Sequence, residues 1–242
     1  MASGETFNLN SIGENAFTQQ LDANQTALEG LRLHKQGKTD KARALYLDAI
    51  NQGCDNKESV LTNLGVALKQ LKDYQAAEKA YREVLNINPI NLSANANLAS
   101  LYLETRDYER SIAAAKATLE IKPNHLETII NLGLGLASSK EFEEAIKMFN
   151  KCIELAPSMA EGYLFLAETQ SSTDNIQAAK EVLAKAIKKV TNKSKINTQL
   201  GKLSTDAKDY KQAIIFRLQV SQKMVLQFNF LIVVMWVLVE FL

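Results

Sequence analysis

The sequence predicts an all-α fold, a solenoid of stacked helix pairs. Three observations predict it. Pro89, Pro123 and Pro157, the only prolines in the chain, lie 34 residues apart. Leu64-Gly65, Leu98-Ala99 and Leu132-Gly133 run in step with them, and Ala77, Ser111 and Ala145 form a third series. A fixed period of about 34 residues marks a helix–turn–helix unit that cannot bury its apolar side alone and stacks on its neighbours to do so.

The clearest unit spans residues 58–91. Leu61, Leu64, Gly65 and Leu68 recur at three- and four-residue steps and form one apolar face of a first helix. Asp73-Tyr74 marks the turn. Ala77, Tyr81, Val84 and Leu85 form the facing stripe of a second helix, which Pro89 closes because proline cannot donate the next hydrogen bond. Gly65 and Ala77 fall where the two helices approach most closely, with Tyr81 filling the space beside them. Residues 92–125 repeat the scheme with Leu98, Ala99, Tyr102, Asp107-Tyr108, Ser111, Leu119 and Pro123. Residues 126–159 do so with Leu132, Gly133, Leu136, Phe142, Ala145, Phe149, Ile153 and Pro157. Residues 160–193 keep Tyr163, Leu166, Ala167, Ala179, Leu183 and Ala186, but Thr191 stands where the proline would be.

Two weaker units flank these. Residues 23–57 fit through Gly30, Leu33, Gly37, Ala42, Tyr46, Ala49 and Ile50, and residues 194–221 through Leu200, Gly201, Asp209-Tyr210 and Ala213. Atypical end units are expected of a stack that must be capped. Residues 1–22 are polar, lack a basic start followed by an apolar run, and read as a mobile tail rather than a secretory leader.

These residues resemble the tetratricopeptide repeat family over 23–221. The departure lies at the fourth position of the units, where a bulky aromatic is usual: Leu61, Asn95 and Ile129 stand there, with Tyr163 the only aromatic. The resemblance implies antiparallel helix pairs in a right-handed superhelix, with first helices lining a concave groove. It also implies a scaffold or adaptor that binds proteins or extended peptides without chemistry of its own.

Composition agrees with a binding module. The net charge of +1 lacks the basic surplus of a nucleic-acid protein, so no nucleic acid is expected. No cofactor or metal is expected either. Cys54 and Cys152 fall in different units, Cys152 as a small buried residue and Cys54 as an incidental thiol. His34, placed on an exposed helix face, and His125, in an inter-unit turn, have no partner base or metal set. Gly133 and Gly135 mimic a phosphate loop only superficially, because no strand precedes them. Glu143-Glu144 and Glu168 read as solvated helix residues. The run Lys185, Lys188, Lys189, Lys193 and Lys195 reads as a solvated helix end, with an acidic partner or membrane headgroups as the alternative.

Asn63, Asn97 and Asn131 are the candidate binding residues. They hold the sixth place of three consecutive units, one residue before the packing leucine and therefore beside the buried stripe. Asparagine costs a helix roughly half a kcal/mol relative to alanine, so three in register call for a reason. A carboxamide carries both a donor and an acceptor and can hold the N–H and C=O of one extended peptide residue. The arrangement is similar to the asparagine ladder in the groove of O-linked N-acetylglucosamine transferases. The alternative is that duplication copied a polar residue onto a solvated face. The ladder breaks at Leu28 and Phe165, with Gln199 a remnant. The family's other known mode, a cationic clamp for chaperone C-termini, is not expected, because its positions hold Ser59, Thr62, Ser93, Ala96, Glu127 and Ile130.

From Val225 the composition turns apolar, with Phe230 to Val239 unbroken. As a helix, 225–242 would reach ~27 Å, just short of the ~30 Å bilayer core. Three readings stay open for 222–242: a membrane anchor, a buried capping helix, or a truncated or shifted frame. The function expected is a cytoplasmic adaptor. The alternatives are the regulatory portion of a glycosyltransferase-like enzyme and a membrane-attached scaffold.

Overall fold

A computed structural model of the chain describes residues 9–191 and 193–206. Among them it contains eleven α-helices and no strand. The chain divides into two compact units between Asn131 and Leu132. The first holds α1 (Leu9–Lys35), α2 (Thr39–Gln52), α3 (Lys57–Gln70), α4 (Tyr74–Ile87), α5 (Leu92–Glu104), α6 (Tyr108–Ile121) and the start of α7 (Leu126–Ser138). The second holds the rest of α7, α8 (Phe142–Leu155), α9 (Ala160–Ser172), α10 (Ile176–Ile187) and α11 (Ser194–Asp206).

Residues 9–22 correct the expectation of a mobile tail. They are the first half of α1, which begins at Leu9. No proline interrupts them, and Glu14, Ala16, Gln19, Gln20 and Leu21 are good helix formers whatever their polarity. Asp209-Tyr210, Ala213 and the apolar segment 222–242 lie outside the described residues.

The first helices α5, α7, α9 and α11 start 34 residues apart, at Leu92, Leu126, Ala160 and Ser194. The turn after each first helix has one geometry. Asp73, Asp107, Glu141 and Asn175 each donate a backbone N–H to the carbonyl five residues back, at 2.8–2.9 Å. The residue before each is left-handed: Lys72, Arg106, Lys140 and Asp174 have φ of 61–66°, and Gly37 takes the same place at 75°. This αL hairpin closure satisfies carbonyls that the helix end would otherwise orphan.

The next residue caps the second helix. Asp73, Asp107 and Asn175 accept the N–H of Ala76, Arg110 and Ala178 at 3.2, 3.1 and 3.4 Å, whereas Glu141 makes no such bond. The longer glutamate arm overreaches the N–H that aspartate meets. Glu141→Asp should therefore raise stability by about 1 kcal/mol in a urea melt.

At the far end, Asn88, Lys122 and Ala156 precede the prolines and leave the helical region, with φ of −140°, −136° and −139°. Proline's ring disfavours a helical neighbour on its N-terminal side. Lys188, with no proline after it, stays right-handed at φ −80°, ψ −18°.

The core of each unit follows one size rule. A Cβ on Gly65 would lie 2.4 Å from Tyr81 Cε1, on Gly133 2.5 Å from Phe149 Cε1, and on Gly30 2.9 Å from Tyr46 Cε1. These aromatic side chains are fully buried. Where alanine replaces the glycine, the residue sixteen later shrinks: Ala99 with Ala115, Ala167 with Leu183, all fully buried. Ser111 adds a hydroxyl that donates to the Ala99 carbonyl at 2.8 Å.

The polar residues at the fourth position find partners in the preceding turn. Asn95, buried, donates to the carbonyls of Asn91 and Pro89 at 3.2 and 3.4 Å. The Tyr163 hydroxyl donates to the Pro157 carbonyl at 3.0 Å. Both side chains tie the first helix to the proline turn before it.

Candidate peptide-binding face

Asn63 lies on α3, Asn97 on α5 and Asn131 on α7, all within the first unit. Their register places them next to buried Leu64, Leu98 and Leu132, and each is itself half-buried. None of the three carboxamides is hydrogen-bonded to another described residue. Each therefore presents a free donor and a free acceptor at a fixed step along successive first helices. At the same register Leu28 stands on α1, 67% exposed, and Phe165 on α9.

Beside Asn63 lies a recess of about 380 Å³ between α3 and α5. Asn56, Ser59, Thr62, Asn91 and Ser93 line it with Glu58. Polar tethers hold its edges. The Glu58 carboxylate accepts from the amides of Asn88 and Asn91 at 3.1 and 3.0 Å. Towards the far end of α3, Lys69 donates to Ser100 of α5 at 2.8 Å, and the Tyr74 hydroxyl of α4 donates to Glu104 of α5 at 2.9 Å. Ser59, Thr62, Ser93 and Ala96 carry no charge.

A charged cluster that the sequence did not announce sits between α4, α5 and α6. One oxygen of Glu78 accepts from the Tyr102 hydroxyl at 2.8 Å, from Arg82 at 2.8 Å and from Arg110 at 3.0 Å. Arg110 also lies 4.4 Å from the Tyr102 ring centre and donates to Asp107 at 2.6 Å. Burial pushes the Glu78 carboxyl up, but the Tyr102 hydroxyl and the two guanidiniums outweigh it and hold the group below its ordinary value. Arg110 lowers Asp107 in the same way, through side-chain and backbone hydrogen bonds. The cluster joins three helices and leaves no free base, so its chemistry is structural.

His34 is not on an exposed face, which corrects the sequence expectation: it is half-buried and joins three helices. Its Nδ1 lies 3.3 Å from the Tyr46 hydroxyl and its Nε2 2.9 Å from Gln70 Oε1. His125 Nδ1 lies 2.7 Å from Thr128 Oγ1 at the start of α7. Cys54 and Cys152 are both buried and unpaired as a disulfide, and burial raises both thiols. Lys195 of the basic run pairs with Glu161 at 3.3 Å. Gly133 and Gly135 lie inside α7. Among the described residues no acidic, histidine or cysteine group is arranged to hold a metal ion. None of their helices is long and apolar enough to cross a membrane.

Tetratricopeptide repeat family models match residues 59–91, 92–125 and 136–203, together more than half of the chain. The chain belongs to the tetratricopeptide repeat family. Solved tetratricopeptide repeat proteins share its fold at low identity. MamA (residues 41 to end) from Desulfovibrio magneticus RS-1 is 21% identical, with a TM-score of 0.65, over 69% of this chain and 93% of that one. PilF of Pseudomonas aeruginosa is 17% identical with a TM-score of 0.68, over 85% and 93%. YrrB, described as a tetratricopeptide repeat protein with an unusual peptide-binding site, is 20% identical with a TM-score of 0.59, over 74% and 90%. The repeat family and these neighbours support a protein-interaction scaffold in general terms.

Proposed function

We propose that this chain is a non-catalytic adaptor that holds an extended peptide segment on the first-helix face of its N-terminal unit, through Asn63, Asn97 and Asn131. The observation that carries the reading is three half-exposed carboxamides, one on each of α3, α5 and α7, none engaged by a described neighbour. Each can accept one peptide N–H and donate to one peptide C=O. Such contacts grip backbone and read little sequence. The polar recess beside Asn63 and the uncharged residues at Ser59, Thr62, Ser93 and Ala96 fit a neutral backbone better than a terminal carboxylate. The peptide-binding site ascribed to YrrB supports a peptide as the class of ligand. The membrane-scaffold alternative turns on 222–242, outside the described residues.

The test is a triple substitution, Asn63→Ala, Asn97→Ala and Asn131→Ala. A phage-displayed random peptide library selected on the full chain supplies ligands, and fluorescence polarisation measures their affinity. Each pair of backbone bonds contributes about 0.5–1.5 kcal/mol net, so the triple variant should bind at least about tenfold more weakly. It should also melt higher, by about half a kcal/mol per site from helix propensity. Unchanged affinity in the triple variant would remove the asparagines from the grip.

A further inference from the structure

In the second unit the register place of the asparagines is taken by Phe165, and a different kind of recess opens there. Phe165 stacks on Phe149 with ring centres 5.6 Å apart and planes tilted by 37°. Phe149, fully buried, forms the floor. Leu134 of α7, Phe142 of α8 and Phe165 of α9 wall a volume of about 200 Å³. Thr169 also lines it, but its hydroxyl is spent on the Phe165 carbonyl of its own helix at 2.8 Å. Glu168 is the one charged lining residue, and its carboxylate is not engaged by another described residue.

Size and polarity narrow what fits. A cavity of about 150 Å³ is large enough for a benzene molecule, so this open recess has room for one bulky side chain, which would meet Leu134, Phe142, Phe149 and Phe165. Ser138 and Ser172 also line the recess, at its exposed rim. The free Glu168 carboxylate beside the phenylalanine rings attracts a cation on the incoming segment and repels an anion.

We infer that the Phe165 recess takes a bulky apolar side chain of a partner polypeptide, next to a lysine or arginine that pairs with Glu168. This rests on the reading of the first-helix faces as binding surfaces, and it adds a sequence requirement that the asparagines do not impose.

Fluorescein-labelled nine-residue peptides test it. Serine, glycine and threonine form the background, and the centre carries Phe-Lys, Phe-Glu or Ala-Lys. Titrated with the full chain, Phe-Lys should bind about tenfold more tightly than Ala-Lys and about threefold more tightly than Phe-Glu. Phe165→Asn should erase the preference for phenylalanine. Glu168→Lys, an exposed change, should reverse the preference between lysine and glutamate while leaving the melting curve in place. Equal binding of the three peptides, binding of none, or rankings that neither variant alters would overturn the inference. A dimer that Phe165→Asn dissolves, or peptide binding that appears only when 222–242 is deleted, would assign the recess to a second copy or to the chain's own apolar segment. Either result would overturn it too. The asparagine triple variant separates the two readings. If it keeps the Phe-Lys ranking but loses nothing against library peptides, the asparagine reading fails and the recess stands. If it loses library peptides while wild type ranks the three probes alike, the recess fails and the asparagine reading stands.

Discussion

Replacing Tyr81 with alanine is expected to lower the stability of the chain by about 3–5 kcal/mol. The side chain is fully buried, and its ring meets the backbone of α3 at Gly65. Gly65→Ala should destabilise as well, despite alanine's advantage of about 1 kcal/mol in a helix. Its Cβ would come within 2.4 Å of the Tyr81 ring, and overpacking of this kind costs typically about 1–3 kcal/mol. The informative result is the double variant. With the ring gone the added methyl has room, so Gly65→Ala with Tyr81→Ala should be no less stable than Tyr81→Ala alone. The Ala99 and Ala115 pair already exists in the next repeat as the precedent. Urea melts followed by far-ultraviolet circular dichroism measure all three. Additive losses would show that the two residues do not share one space.

Glu78→Ala is expected to cost about 2 kcal/mol. It removes the one oxygen that accepts from the Tyr102 hydroxyl, Arg82 and Arg110, and bonds to charged groups contribute about 1.5–3 kcal/mol. Solvent reaches both arginines, which keeps the loss below that of a fully buried pair. The same carboxylate sets a pH dependence. Its folded pKa lies below the ordinary 4.5, so the unfolded chain takes up its proton first as pH falls. The stability it contributes is complete above pH 4.5 and is lost as pH drops through the lowered folded value. Asp107, lowered by Arg110, adds to the same acid limb. Glu78→Gln should therefore trail wild type near neutral pH and close the gap in acid. A gap that stays constant from neutral pH down into that acid limb would show that the charge contributes nothing.

Much of the fold could be read in advance because duplication repeated each physical signal in phase. One proline or one aspartate is weak evidence; Pro89, Pro123 and Pro157 in step with Asp73 and Asp107 fix where second helices begin and end. The pairing of Gly65 with Tyr81 was legible for the same reason, since both lie within one unit at a spacing seen again at Gly133 and Phe149. The start of α1 was not legible, because its polarity suggests a loose tail where helix propensity decides. The Glu78 cluster was hidden because its partners come from three helices, 4 to 32 residues away, and no local pattern announces them. Phe165 was visible only as a gap in the row of asparagines. Its meaning came from Phe149 and Phe142 on another helix, which composition along α9 cannot supply.

The size matching between paired positions has a consequence for how such a chain can be inherited. If α5 were copied in front of α4, Ala99 would bring its methyl to the place where Gly65 leaves room for Tyr81, and the new neighbours would collide. Copying α3 together with α4 carries the hollow and the ring that fills it in one piece. The hairpin, and not the single helix, is thus the smallest segment that gene duplication can add to this array without a compensating second change.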